Sequence, residues 1–326
     1  MQAVAKVSHG EGGVALIEAP EPVVVPGHVL IEVAAAGICG TDLHIYHDEY
    51  PYDPPVVLGH ELAGVVARVG EDVTSCSPGD RVTSETYFYV CGRCRFCRDG
   101  QINLCPQRRS IGSGADGAMA CFVLVPERNI HRLPENVSLV AGALTEPLAC
   151  AVHAVSRAGV DSGDIAVVSG PGAIGLLVTQ LVKAAGATAI VLGTSADEAR
   201  LNLAGQLGAD LTVDVERADA ANAVSERTSG WGADVVFECS GVGSSARACA
   251  ALVRRGGRYA QVGLFGHSIE WNPDLVVLKE LRLTGSFATV PSAWRKALTL
   301  LATGQVQTQP LVSHVLPLSD WRRGFE

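Results

Sequence analysis

Apolar and polar positions alternate through the first third of the chain, and turn residues break the alternation at short intervals. Residues 1 to about 35 read as antiparallel strands. Val29-Leu30-Ile31-Glu32-Val33 is one of them, entered through Pro26-Gly27 and left through Ala36-Gly37. Thr41 to Tyr46 begins a short helix. Val56-Val57-Leu58 leads into Gly59-His60-Glu61, and Gly64 to Gly70 gives another strand. Ser77-Pro78-Gly79-Asp80 is a turn, Arg81-Val82 restarts the sheet, and Cys121 to Val125 returns to strand character. A helix is expected to start after Pro147, since proline suits a first helical turn.

The pattern then changes period. Ile165-Ala166-Val167-Val168-Ser169 is a continuous apolar strand, followed by a glycine-rich turn, an apolar helix to about Ala185 and a strand over Ala189 to Leu192. Further strands fall at Leu211 to Val213, Asp234 to Cys239, Arg258 to Val262 and Leu281 to Gly285, with helical stretches between them. Six strands alternating with helices predict a doubly wound parallel sheet. The apolar run Ile165 to Val182 is long enough to suggest a membrane span. Gly170, Pro171, Gly172 and Gly175 interrupt it, which fits a buried strand–turn–helix pair better. Pro291 to Ala302 forms an amphipathic helix, and the chain stops just inside another one begun after Leu318.

Composition narrows the class. At 326 residues two domains are expected, and 48% hydrophobic, 18% charged residues and 36 glycines suit an α/β enzyme. The net charge of −9, with no basic run beyond pairs such as Arg108-Arg109 and Arg254-Arg255, argues against a nucleic-acid surface or an anionic membrane as partner. The N-terminus lacks the basic-then-apolar pattern of a secretory signal. Ten cysteines in that setting point to thiols and metal in a reducing cytoplasm, not to disulfides.

Three clusters carry chemistry. Cys39-Gly40-Thr41-Asp42-Leu43-His44 and Gly59-His60-Glu61 supply thiolate, imidazole and carboxylate, the donors a catalytic zinc accepts. Cys91-x2-Cys94-x2-Cys97-x7-Cys105 puts four thiols within 15 residues, enough for a closed tetrahedral zinc site; an iron–sulfur run would have a shorter last gap. Gly170-Pro171-Gly172-Ala173-Ile174-Gly175 follows a strand and opens a helix, the setting in which glycines let a backbone approach a pyrophosphate. The next strand ends Leu192-Gly193-Thr194-Ser195 with no acid for a ribose diol. Its small hydroxyls plus Arg200 suit a 2′-phosphate, a lean toward NADP; Asp197 and Glu198 suit the first turn of the next helix. Glu146 reads locally as a capping or solvated acid.

CGTDLH, GHE, the four-cysteine loop, TEPLA and VSGPGAIG, in this order and spacing, resemble the zinc-dependent medium-chain alcohol dehydrogenases, in particular their sorbitol/iditol, butanediol and threonine dehydrogenase branch. The resemblance implies a GroES-like β-rich catalytic domain over 1–148 and 287–326 and a Rossmann domain over 149–286. It implies two zinc ions per chain. Cys39 and His60 would be ligands of the catalytic one, Glu61 a direct or water-exchanged ligand, and Glu146 would contact the zinc or its water. Asp42 would orient His60, Thr41 and His44 would relay the proton, and Cys91, Cys94, Cys97 and Cys105 would hold the structural zinc. The implied reaction moves hydride between a secondary alcohol (polyol, vicinal diol or amino alcohol such as threonine) and NAD(P), in a cytoplasmic homodimer or homotetramer. Two departures stand out: the missing ribose acid, and a last helix and returning strand left incomplete at Glu326. The competing readings, a zinc-independent quinone reductase or a non-catalytic nucleotide-binding protein on the same fold, predict no ligand set at 39, 60, 61 and 146.

Overall fold

Short alternating segments cannot bury an apolar face alone, so they pair. In the computed structural model, which describes residues 1–326, β1 (Gln2–Lys6) lies antiparallel to β2 (Val14–Glu18). There follow β3 (His28–Gly37), α1 (Gly40–Tyr46), β4 (Val56–Val57), β5 (Glu61–Val69), β6 (Arg81–Ser84), β7 (Tyr87–Tyr89), α2 (Arg95–Arg98), β8 (Arg109–Ser110), β9 (Phe122–Pro126), β10 (Ile130–Arg132), α3 (Leu139–Ala143) and α4 (Thr145–Ala158). β4 joins the first sheet in the order β2-β1-β4, and a five-stranded antiparallel sheet runs β10-β6-β5-β3-β9. Val29, Ile31, Leu62, Val66, Val82, Val123 and Val125 fill the core on this second sheet.

Of the boundaries that differ from expectation, two bear on the site. β5 begins at Glu61, not at Gly64, because Glu61 pairs with Gly37 at the end of β3. α4 begins at Thr145, so Pro147 is its third residue and not a position before it. The first four N–H groups of a helix have no intrahelical acceptor, so a proline there loses nothing.

The second sheet system is built from β11 (Ile165–Ser169), α5 (Ala173–Ala184), β12 (Thr188–Gly193), α6 (Glu198–Gln206), β13 (Leu211–Asp214), α7 (Ala220–Arg227), β14 (Ala233–Glu238), α8 (Gly243–Leu252), β15 (Val253–Gln261), α9 (Asp274–Leu278) and β16 (Arg282–Gly285). All six strands are parallel, in the order β13-β12-β11-β14-β15-β16. The order reverses between β11 and β14, and open sheets of this kind take ligands at the carboxyl ends of the strands there. The apolar runs in β11, β12 and β14 are buried on both faces, which is why they lack alternation.

The chain closes with α10 (Pro291–Ala302) and α11 (Trp321–Phe325). Two compact units result: Met1–Glu146 with Val290–Ala302 and Val312–Glu326, and Pro147–Thr289 with Thr303–Leu311. The sequence had assigned all of 287–326 to the first; residues 303–311 fall instead with the second, where Gln180 and Gln307 exchange two hydrogen bonds of 2.8 and 3.1 Å. No helix is long and apolar enough to cross a membrane, so the run over 165–182 is the strand–turn–helix pair its glycines suggested.

Candidate active site

α1 starts with Cys39 as its capping residue, and the cap does more than end a helix. The Asp42 carboxylate, fully buried, accepts the Cys39 N–H at 2.9 Å through Oδ2 and the Gly59 N–H at 3.2 Å through Oδ1. The same Oδ1 lies 3.9 Å from His60 Nδ1. One carboxylate thus ties residue 39 to residues 59 and 60. Glu61 stands at the head of β5 opposite Gly37, where a Cβ would overlap the Glu61 carboxylate, so the absent side chain makes the room the acid occupies. The donor atoms of Cys39, His60 and Glu61 all lie within 4.8 Å of one another. Glu146 is not in that group, but it is buried in the first turn of α4 and its charge acts on both His60 and Glu61.

The electrostatics of this cluster fit a divalent cation. Burial, then repulsion from Glu146, pushes the Glu61 carboxyl up to about 8. Burial raises the Cys39 thiol and the Asp42 carboxyl as well, each opposed by His60. Burial alone would lower His60, but Cys39, Asp42 and Glu146 outweigh it and hold the ring well above its usual range. Several buried acids around one imidazole repel one another, and a metal ion relieves that repulsion while preferring just these donor types.

The four-cysteine loop passes a similar test. All four sulfur atoms lie within 4.8 Å of one another, and Cys91 Sγ is 3.9 Å from Cys97 Sγ. Four Zn–S bonds of about 2.3 Å at tetrahedral angles put sulfurs about 3.8 Å apart. Backbone N–H groups of Cys94, Cys97 and Cys91 point at the sulfurs of Cys91, Cys94 and Cys105, at 3.4 to 3.5 Å. The N–H groups of Arg93 and Cys94 hold the Cys91 thiol down at about 6, whereas burial and its neighbouring thiols push Cys97 up to about 12. Four sulfur atoms this close could hold one metal ion.

In the other unit, Gly170 to Gly175 joins β11 to α5. Gly170 has φ +97° and a Cβ on Gly175 would overlap the Gly170 carbonyl oxygen, so the turn needs both. Gly172 caps α5, and a Cβ there would meet nothing within 4 Å, which leaves the helix N-terminus accessible to an anion. Pro171 lies in the turn, and Ala173 and Ile174 open α5.

Two family models match the chain, "Alcohol dehydrogenase GroES-like domain" over residues 25–135 and "Zinc-binding dehydrogenase" over 173–303. A sorbitol dehydrogenase of Halalkalibacterium halodurans is 42% identical over all of this chain and 95% of its own length. The chain belongs to the zinc-binding alcohol dehydrogenases. A D-arabitol-phosphate dehydrogenase of Enterococcus avium is 41% identical over all of the chain and 94% of its own. Among solved structures, a zinc-binding dehydrogenase from Sinorhizobium meliloti bound to NADP superposes with a TM-score of 0.93 at 36% identity, covering 99% of this chain and 94% of that one.

The remaining residues expected of a zinc-binding alcohol dehydrogenase fall as follows. Thr41 Oγ1 lies 3.8 Å from Cys39 Sγ. His44 Nδ1 lies 2.7 Å from Glu49 Oε2, a partner the sequence reading did not name. An acid five residues past the histidine, where α1 ends, is the only signal that could have found it. Glu49 also lines a cleft of about 320 Å³ with His9, Asp48, Tyr50, Pro51 and Tyr52. At the end of β12 the groups expected to meet a 2′-phosphate are already engaged. Asp197 accepts from the Thr194 N–H and hydroxyl at 3.1 and 2.9 Å and from Arg200 at 3.0 Å. The Ser195 hydroxyl donates to Asp214 at 2.7 Å. Asp197 therefore serves the short helical turn beginning at Ser195, while the Arg200 side chain remains 63% exposed.

Proposed function

We propose that this alcohol dehydrogenase oxidises a secondary alcohol of a polyol, vicinal diol or amino alcohol, with Cys39, His60, Glu61 and Glu146 around a catalytic zinc and the four-cysteine loop around a structural one. The observation that carries the reading is the convergence of Cys39, His60 and Glu61 within 4.8 Å. When bound, a zinc ion supplies Lewis acidity that eases loss of the alcohol proton, and a nicotinamide supplies the hydride acceptor. The chain's own part is to hold and aim. Asp42 Oδ1 lies 3.9 Å from His60 Nδ1, where its charge would help orient the ring as a zinc ligand. Thr41 and His44 carry the proton outward, and Glu49 orients the His44 ring by taking Nδ1–H. The glycine turn and the N-terminus of α5 receive the pyrophosphate.

At the ribose 2′ position NADP is favoured, because Arg200 is 63% exposed even while bonded to Asp197 and the Sinorhizobium relative is bound to NADP. Steady-state kinetics with both cofactors decides it: a large advantage for NAD would overturn this part.

The test of the whole reading is metal content and turnover in Cys39→Ser. The variant is expected to lose one zinc and all measurable dehydrogenase activity while keeping the other zinc. Undiminished turnover would refute it. His44→Ala is expected to slow turnover most at low pH, where solvent accepts protons poorly; a pH profile of unchanged shape would remove His44 from the relay.

A further inference from the structure

Glu238 ends β14, beside the point where the strand order reverses, and none of its surface reaches solvent. Donors ring its carboxylate. Oε1 accepts the Ser240 N–H at 3.0 Å, the Ser240 hydroxyl, and the Ser245 hydroxyl at 2.9 Å. Oε2 accepts the Gly241 N–H at 3.2 Å and the Gln261 side-chain amide at 2.7 Å. None of these donors is a cation. Burying a carboxylate this way is costly unless every lone pair is met, and a glutamine would fill the same volume without the charge.

The ring also holds the walls of the crevice together. Ser245 meets the Ser169 hydroxyl at 2.8 Å, and the Cys239 N–H donates to the Ser169 carbonyl at 2.8 Å, so the ends of β11 and β14 are joined. A Cβ on Gly170 would come within 2.9 Å of Ser240 Cα, which places the Glu238-bound loop against the glycine turn. Gln261, which also donates to the Gly263 carbonyl at 2.8 Å, brings in the end of β15. The field of the carboxylate is felt nearby: burial first, then Glu238, pushes the Cys249 thiol up to about 12.

We propose that Glu238 is a positioning residue of the dinucleotide crevice whose uncompensated negative charge favours the oxidised, cationic nicotinamide over the reduced, neutral one. This rests on the dinucleotide reading of the glycine turn. A network of hydrogen bonds alone would affect both redox forms alike, because they differ chiefly in the charge and shape of one ring. A fixed charge separates them.

The test is titration of the full chain with oxidised and reduced dinucleotide, the reduced form by its fluorescence and the oxidised form by competition. In Glu238→Gln the ratio of Kd for the oxidised to the reduced form is expected to rise about tenfold, the effect of a charge roughly 10 Å away at an effective dielectric of about 20. Glu238→Asp should keep the wild-type ratio. A Gln variant that weakens both forms equally would overturn the proposal and leave Glu238 a structural residue. If that variant folds poorly by circular dichroism, Gln261→Lys decides, since a cation beside the carboxylate should move the ratio in the same direction; an unmoved ratio there also overturns it. A wild-type chain that binds neither form would sink the dinucleotide reading itself, a result distinct from either.

Discussion

Asp42 is the residue on which most of the candidate metal centre turns. It caps α1 through the Cys39 N–H, holds the Gly59 N–H, and faces the His60 ring, all with one buried carboxylate. Asp42→Asn keeps the volume but replaces one accepting oxygen with an amide and removes the charge facing the ring. Zinc affinity at the catalytic position, or turnover with it, should fall about 10- to 100-fold, the usual consequence of losing a group that orients a metal-bound imidazole. Competition with a chelator measures it, and an unchanged zinc affinity and turnover would show that Asp42 serves only the helix. The donors themselves were legible in the sequence because Cys, His and Glu in that order carry chemistry as residue types. Glu49 and Glu238 were not. An acid at a helix end or strand end is commonplace, and what marks these two is spatial: the 2.7 Å approach to His44, and a ring of donors drawn from residues 240 to 261.

At the scale of elements, period and turn residues predicted all six parallel strands and most of the antiparallel ones, though not β7, β8 or β10, since alternation in one system and continuous apolar runs in the other reflect burial on one face or two. Element ends were harder to read, because long-range pairing sets them: Glu61 joined β5 through Gly37, which lies on another strand. A similar long-range tie fastens the starts of β11 and β14. Asp234 accepts the Ile165 N–H at 2.8 Å and Arg254 Nε at 2.7 Å. Burial would raise its carboxyl, but the Ile165 N–H and Arg254 outweigh burial and hold it below the usual range. A depressed folded-state pKa stabilises the fold above the unfolded value of about 3.9, and that contribution is lost as pH falls through the folded value. Asp234→Asn should therefore cost about 1–3 kcal/mol at pH 7, as for a partly buried charged hydrogen bond. The deficit should be the same at pH 5 and shrink below about pH 4, as the unfolded chain and then the folded one take up the proton. Urea unfolding at several pH values checks this, and a deficit that persists undiminished in acid would assign the loss to packing and not to charge.

For the molecule as a whole, charge bears on which alcohol is oxidised. Its relatives include enzymes named for a free polyol and for a phosphorylated one, so family membership leaves the question open. The cleft that shares Glu49 with His44 carries Asp48, Glu49 and His9 among aromatic and proline side chains. Lys6 lies near, 5.0 Å from the Tyr52 ring, but its ammonium is turned to the carbonyls of Gly10, Gly12 and Tyr46 at 2.5, 2.6 and 3.3 Å. Recognition of a phosphate calls for Arg or Lys with donors to spare. Beside His44 this region offers two acids, one imidazole and a committed lysine, on a chain whose net charge is −9. A dianionic substrate would meet long-range repulsion on approach and, beside His44, the local charges of Asp48 and Glu49, and a neutral polyol or diol would not. The prediction is that kcat/KM for a free polyol exceeds that for its phosphate ester by at least about tenfold at low ionic strength, with the gap narrowing as salt screens the long-range part. Glu49→Gln and Asp48→Asn should narrow it further by removing the local part, with Glu49→Gln also slowing turnover of both substrates through His44. A phosphate ester turned over faster than the free polyol, at any salt concentration, would overturn the prediction and mean that cationic groups hold the substrate's phosphate.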